Sequence, residues 1–239
     1  MSNKNDFNID YSQYKSVNMD TLRAKSKMAA KKGYNPVEIE SKEIAKTWWG
    51  KQWNLNLERY ADFYTRIDRG KRYVRSGAVI DLQIEEGLIK AKVQGSDWKP
   101  YKVKIKIKPL SKENKEKIFK IANNQIESLE SLVLGEFPHE LSQLFSAENF
   151  GLFPTSDEID IKCSCPDWAY LCKHAAAVLY GVGARLDDDP LMFFLLRSID
   201  FNSMLQKSIE EKKNLMLTNL GTKTYRTIDN DKAKILFGF

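Results

Sequence analysis

Cysteine and histidine are scarce in this chain: 239 residues hold three cysteines and two histidines. Three cysteines cannot all pair within one chain. In a reducing compartment a tight cysteine cluster suggests metal before disulfide. Long apolar runs are also missing. Stretches such as 191-LMFFLL-196 are far too short to span a bilayer, and the opening MSNKNDFNIDYSQYK has no apolar signal core. A cytoplasmic protein with no membrane partner is expected. Motifs for chemistry are missing too. There is no H-E-x-x-H, no H-x-E with P-C-x-x-C, no Gly-rich phosphate loop, no nucleophile motif and no carboxylate pair. An enzyme is not expected. Internal repeats and low-complexity tracts are absent as well.

What is present supports real cores. Apolar residues make up 42% and recur in short periodic runs. Net charge is +6, which permits an anionic partner without demanding one. Residues 1–35 carry seven basic residues against three Asp and read as a basic arm. A helix fits 19-MDTLRAKSKMAAKKG-33, stopped by Gly33. In 41–65, Ile44, Trp48, Trp49, Trp53, Leu57, Tyr60 and Tyr64 recur at helical spacing, with Gly50 weakening a continuous helix. Core packing is the first explanation of that stripe, and a base-stacking platform is the second.

The densest positive patch is 66-RIDRGKRYVR-75. Arg66, Arg69, Lys71, Arg72 and Arg75 stand there against one acid, with Gly70 as punctuation. Arg forks suit phosphate oxygens. The same stretch also fits a solvated basic turn, or a strand paired with the acidic half of the chain. Three strand-like runs follow, 78-AVIDLQI-84, 88-LIKAKVQG-95 and 101-YKVKIKIKPL-110, with Glu86-Gly87 as a hairpin turn. In the third run Val103, Ile105 and Ile107 point one way, and Lys102, Lys104, Lys106 and Lys108 the other. That lysine row suits a phosphate backbone, and equally a wet or guarded sheet edge. A small antiparallel sheet with packed helices, an α+β fold, is predicted. Ser111 caps a further helix whose apolar face takes in Ile118, Ile121, Ala122, Ile126, Leu129, Leu132 and Val133. From Glu127 to Asp160 there are eight acids and no Lys or Arg. His139, beside a turn proline in that segment, reads as structural or exposed. Helices are also expected after Pro190 and near 202–217.

The cluster itself is Cys163-x-Cys165, six residues, then Cys172-x-His174. Thiolates and an imidazole are what tetrahedral zinc takes. An alternating strand, 158-EIDIK-162, precedes the first pair, and a helix, 175-AAAVLYGVGARL-186, follows the second. The helix start favours thiolates because its free N–H groups point at them. Four candidates fill the shell, so a structural zinc, one per chain, is the leading reading. A Cys–His nucleophile pair would leave two cysteines unexplained, and iron–sulfur ligation falls short of the usual spacings. Three thiolates, a neutral histidine and a divalent ion sum to −1, so nucleic-acid contact has to come from residues around the site.

C-S-C-P-D-W-A-Y-L-C-K-H resembles the SWIM-type zinc finger, C-x-C, a variable gap, then C-x-H. Trp48-Trp49-Gly50, R-G-K-R-Y-V-R-S-G at 69–77, V-Q-G-S at 93–96, P-Y-K-V at 100–103 and D-P-L-M-F-F-L-L-R at 189–197 look like small prokaryotic SWIM proteins that often accompany a Swi/Snf-type helicase. The resemblance spans roughly residues 40–200. It implies a strand–strand–helix zinc module with Cys163, Cys165, Cys172 and His174 as ligands. It also implies DNA or protein binding without catalysis. The expected organisation is an arm (1–35), a basic α+β module (36–135), a SWIM-type module with its following helix (136–200) and a helical extension (201–239). The expected function is a non-enzymatic zinc protein contacting nucleic acid through Arg66, Arg69, Lys71, Arg72, Arg75, Lys102, Lys104 and Lys106. The alternative is an adaptor for a helicase-type partner.

Overall fold

The alternating runs become strands of one sheet. The computed structural model describes residues 18–59, 64–123, 145, 151–219, 234, 235, 237 and 238. Helix α1 (Met19–Lys31) is capped by Asn18, whose side chain accepts from Asp20 N–H, and it buries Leu22, Ser26 and Ala29. Helices α2 (Trp48–Glu58) and α3 (Tyr64–Arg75) follow. Strands β1 (Val79–Glu85), β2 (Leu88–Val93) and β3 (Tyr101–Ile107) come next, then α4 (Lys112–Asn123). Strand β4 (Ile159–Cys163) leads to α5 (Lys173–Asp188), α6 (Met192–Leu196) and α7 (Phe201–Asn219). The sheet order is β1-β2-β3-β4, antiparallel throughout.

Side-chain alternation gives the sheet two unlike faces. Ile89, Ala91, Val93, Val103, Ile105, Ile107 and Ile159 point inward and are buried. Helix α5 covers that face. It touches all four strands and also packs against α2 and α3. Every residue from His174 to Gly183 is buried, as expected of a helix that is apolar all round. Close approach needs small residues on the neighbouring helices. A Cβ on Gly70 would lie 2.5 Å from the Ala176 Cβ, and one on Gly50 would lie 2.8 Å from the Gly183 carbonyl oxygen. Gly50, read from sequence as a weak point, therefore sits inside α2 because α5 passes against it. The stretch 66–75 is neither turn nor strand. It is helix α3, because buried Ile67, Gly70 and Val74 form one face against α5.

Trp49 and Trp53 of the aromatic stripe are core, Trp48 is exposed, and the side chains of Tyr60 and Tyr64 lie outside what is described. Trp53 is 1% exposed, and its indole N–H donates to Leu179 O at 2.9 Å; the Trp49 N–H donates to Leu186 O at 2.6 Å. Burying side chains of this class stabilises by about 1.5–3 kcal/mol each. The Asp187 carboxylate accepts from the N–H groups of Lys46 and Thr47, which fixes the start of α2 on the end of α5. Arg197, 1% exposed, pairs with Glu158 at 2.7 Å and donates to Lys108 O at 2.8 Å. One core runs from Leu22 to Met204. The cysteine-bearing segment thus shares its sheet and its core with the basic segment. No described helix is long and apolar enough to cross a membrane. His139 and the apolar positions 126–133 lie outside the described residues.

Candidate metal centre

Two elements deliver the donors. Cys163 ends β4, where pairing with Val103 of β3 fixes its position. Cys165 lies two residues on. Cys172 is the N-cap of α5, and its Sγ accepts from Ala175 N–H at 3.4 Å. His174 lies in the first turn. The four ligand atoms all fall within 4.8 Å of one another, and Cys163 Sγ lies 3.9 Å from His174 Nδ1. A tetrahedral zinc with bonds of about 2.0–2.3 Å spaces its ligands by about 3.5–3.8 Å, so the donor set fits such an ion with small movements. All three cysteines are free thiols.

The loop between the pairs is braced. Ser164 N–H donates to Lys102 O, and Lys102 N–H donates to Ser164 Oγ, both at 3.0 Å. The Arg66 guanidinium pairs with Asp167 at 3.0 Å, and Asp167 also accepts from Ala169 N–H. The Tyr170 hydroxyl donates to Ile159 O. His174 is 2% exposed, with Tyr101 at 4.3 Å and Tyr73 at 5.5 Å between ring centroids. Its Nδ1 faces the sulfurs, whereas Nε2 is buried without a hydrogen-bond partner among the described residues. Nδ1 is therefore the nitrogen placed to face an ion held by the three sulfurs.

Hydrogen bonding among the sulfurs divides their protons unevenly. Cys165 is held far below the ordinary thiol range, first by Cys163 and then by Cys172. Cys163 is pushed far up, chiefly by its hydrogen bond to Cys165. A metal taking all three sulfurs must displace protons. Lys173 is lowered by burial and then by Arg69. Four donors suffice to complete a tetrahedral shell around one ion.

The other sequence-selected residues fall in two separate layers. Arg66, Lys71 and Arg75 on α3 hold internal partners. These are Asp167, Glu58 at 2.9 Å and the Lys42 carbonyl at 3.2 Å, while Arg72 is exposed and Arg69 half-buried. Lys102, Lys104 and Lys106 stand exposed on the outward sheet face, with α5 between them and α3. β3 is an interior strand, so the lysine row guards no edge. Register adds lysines that sequence reasoning missed. Lys90 lies opposite Lys104, which lies opposite Lys162, and Lys92 lies opposite Lys102. Alternation within 88-LIKAKVQG and 158-EIDIK carried a signal for these; the pairing did not. Lys90 pairs with Glu85 at 2.7 Å and Lys92 with Asp81 at 3.2 Å. Lys102, Lys104 and Lys162 form no ion pair among the described residues.

The SWIM zinc finger family model matches residues 147–182, which enclose all four donors. The chain carries a SWIM zinc finger. The chain is 34% identical over 163 residues to Uncharacterized protein Rv2102 of Mycobacterium tuberculosis (strain ATCC 25618 / H37Rv). The match covers 68% of this chain and 58% of that protein. No solved structure matches. In this SWIM finger β4 doubles as the last strand of the main sheet, and the finger's helix α5 is the central helix of the core.

Proposed function

We propose that this protein is a non-enzymatic module, stapled by one Zn2+ per chain, that binds nucleic acid through its outward lysine face. Cys163, Cys165, Cys172 and the Nδ1 of His174 hold the ion, which supplies folding energy and no chemistry. The cytoplasm, where thiols stay reduced, suits such a site. The supporting observation for binding is the cross-strand row Lys90–Lys104–Lys162 beside Lys102. Like charges directly opposite on a sheet destabilise it, and a phosphate backbone relieves that repulsion. The test is affinity for DNA and RNA across a salt series. Changing Lys102, Lys104 and Lys162 together to Ala should lower the salt slope by about 2–3. An unchanged slope and affinity overturn the reading.

A second reading, docking to a helicase-type protein, draws on α7. Its far half exposes Leu215 at 63% and Met216 at 62%. Leu215→Ser with Met216→Ser should abolish co-purification of such a partner and leave nucleic-acid affinity unchanged. Retention of the partner by that variant counts against α7 as the docking surface.

A further inference from the structure

We propose that the lysine face takes unpaired, single-stranded nucleic acid, and that Trp98 and Trp168 stack its bases. This rests on the nucleic-acid reading above and narrows its ligand. The five tryptophans differ widely in exposure, with Trp48 between the extremes at 39%. Trp49 and Trp53 are buried, whereas Trp98 is 78% exposed and Trp168 is 81% exposed. A single exposed ring on a surface is ordinary. These two stand on neighbouring loops. Trp98 stands on the β2–β3 loop and Trp168 on the loop between Cys165 and Cys172. The bases of these loops are joined by the reciprocal hydrogen bonds of Lys102 and Ser164, where the lysine face ends.

Both loops are braced beside the rings. Gln94 Nε2 donates to Asp97 O at 2.6 Å and to Gly95 O at 3.1 Å, and the Tyr101 hydroxyl donates to Asp97 at 3.4 Å. Tyr101 in turn lies on the His174 ring. The Trp168 loop is anchored at both ends by the metal-binding cysteines and in the middle by the Arg66–Asp167 pair. Lys99 Nζ sits 4.5 Å over the Trp98 ring, placing a cation beside the stacking surface. A cationic track leading to aromatic platforms is the arrangement that binds single strands. Stacking tolerates any base because each has a π face, whereas in a duplex those faces are already covered by neighbouring bases.

The test uses the full, zinc-loaded chain with oligodeoxythymidylate, oligouridylate and a DNA duplex at one salt concentration. Anisotropy and tryptophan fluorescence are both read. Single strands, deoxy or ribo, should bind more tightly than duplex and quench the fluorescence. Trp98→Ala and Trp168→Ala should each weaken single-strand binding roughly tenfold, with duplex affinity and the salt slope unchanged. Trp98→Phe and Trp168→Phe should recover most of the loss, since a smaller ring still stacks. Both sites are exposed, so zinc content and far-UV circular dichroism should match the parent. Equal affinity for single strand and duplex overturns the proposal, as does indifference of single-strand binding to the Ala changes. If the three-lysine variant then still lowers the salt slope, the nucleic-acid reading survives and stacking alone is lost. If no nucleic acid binds the parent chain, both fall.

Discussion

At the scale of single residues, Cys172 does two things. Its sulfur is a metal donor and its position caps α5. Cys172→Ser separates the two roles, because serine is a good cap and a poor zinc ligand. The variant should purify with its metal content reduced to a small fraction of the parent, read by elemental analysis. Its thermal transition should fall steeply. Zinc sites of this kind contribute about 10–16 kcal/mol in isolated fingers, comparable to the 5–15 kcal/mol that holds a whole domain together. Acid should act in the same direction. Protons compete with metal for three sulfurs and an imidazole, so zinc affinity should rise with pH and the ion should be released as pH falls, followed with a chromophoric chelator. A pH-independent affinity would contradict thiolate ligation.

At the scale of elements, the contact of α3 with α5 depends on having no side chain at position 70. Gly70→Ala places a methyl 2.5 Å from the Ala176 Cβ, so the helices must part. Overpacking of this kind costs about 1–3 kcal/mol, whereas the helix-propensity gain from glycine to alanine is at most about 1 kcal/mol. Net destabilisation is expected, and a chemical-denaturation midpoint would show it. The same contact explains why 66–75 misleads as a sequence. Gly70 and the arginines look like a turn until a partner helix is present to use the gap. In contrast, the β1–β2 hairpin and the strict alternation of β3 were legible, because their signals are local. The helix ending before Gly33 was legible for the same reason, and that glycine has φ 81°.

Over the whole molecule, the metal segment and the sheet are mechanically one unit. β4 pairs with β3, and α5 lies across all four strands. Removing the metal with a chelator should therefore loosen more than 158–186. Hydrogen exchange should accelerate in β3 and in the part of α3 that faces α5 as well. Exchange confined to 158–186 would show that the sheet stands without the metal. The two basic surfaces also become distinguishable at this scale. The three lysines 102, 104 and 162 lie opposite the α5-covered face, whereas Arg66, Lys71 and Arg75 of α3 hold partners within the fold. Lysine changes on the sheet should therefore reduce nucleic-acid affinity more than Arg69→Ala with Arg72→Ala.

By itself the sequence determined what depends on short spacing: the Cys163–His174 donor set, the hairpin, the lysine alternation of β3 and the capped helices. Each is a relation between residues a few positions apart, and backbone geometry turns it directly into structure. Only the tertiary structure decided what depends on pairing across long separations. Strand register added Lys90 and Lys162 to the row of Lys104, because neighbours in a sheet can be far apart along the chain. Helix packing placed the arginines on the far side of α5 from the lysines. Burial separated Trp49 and Trp53 from Trp98 and Trp168, residues that are chemically identical in sequence and differ only in what surrounds them.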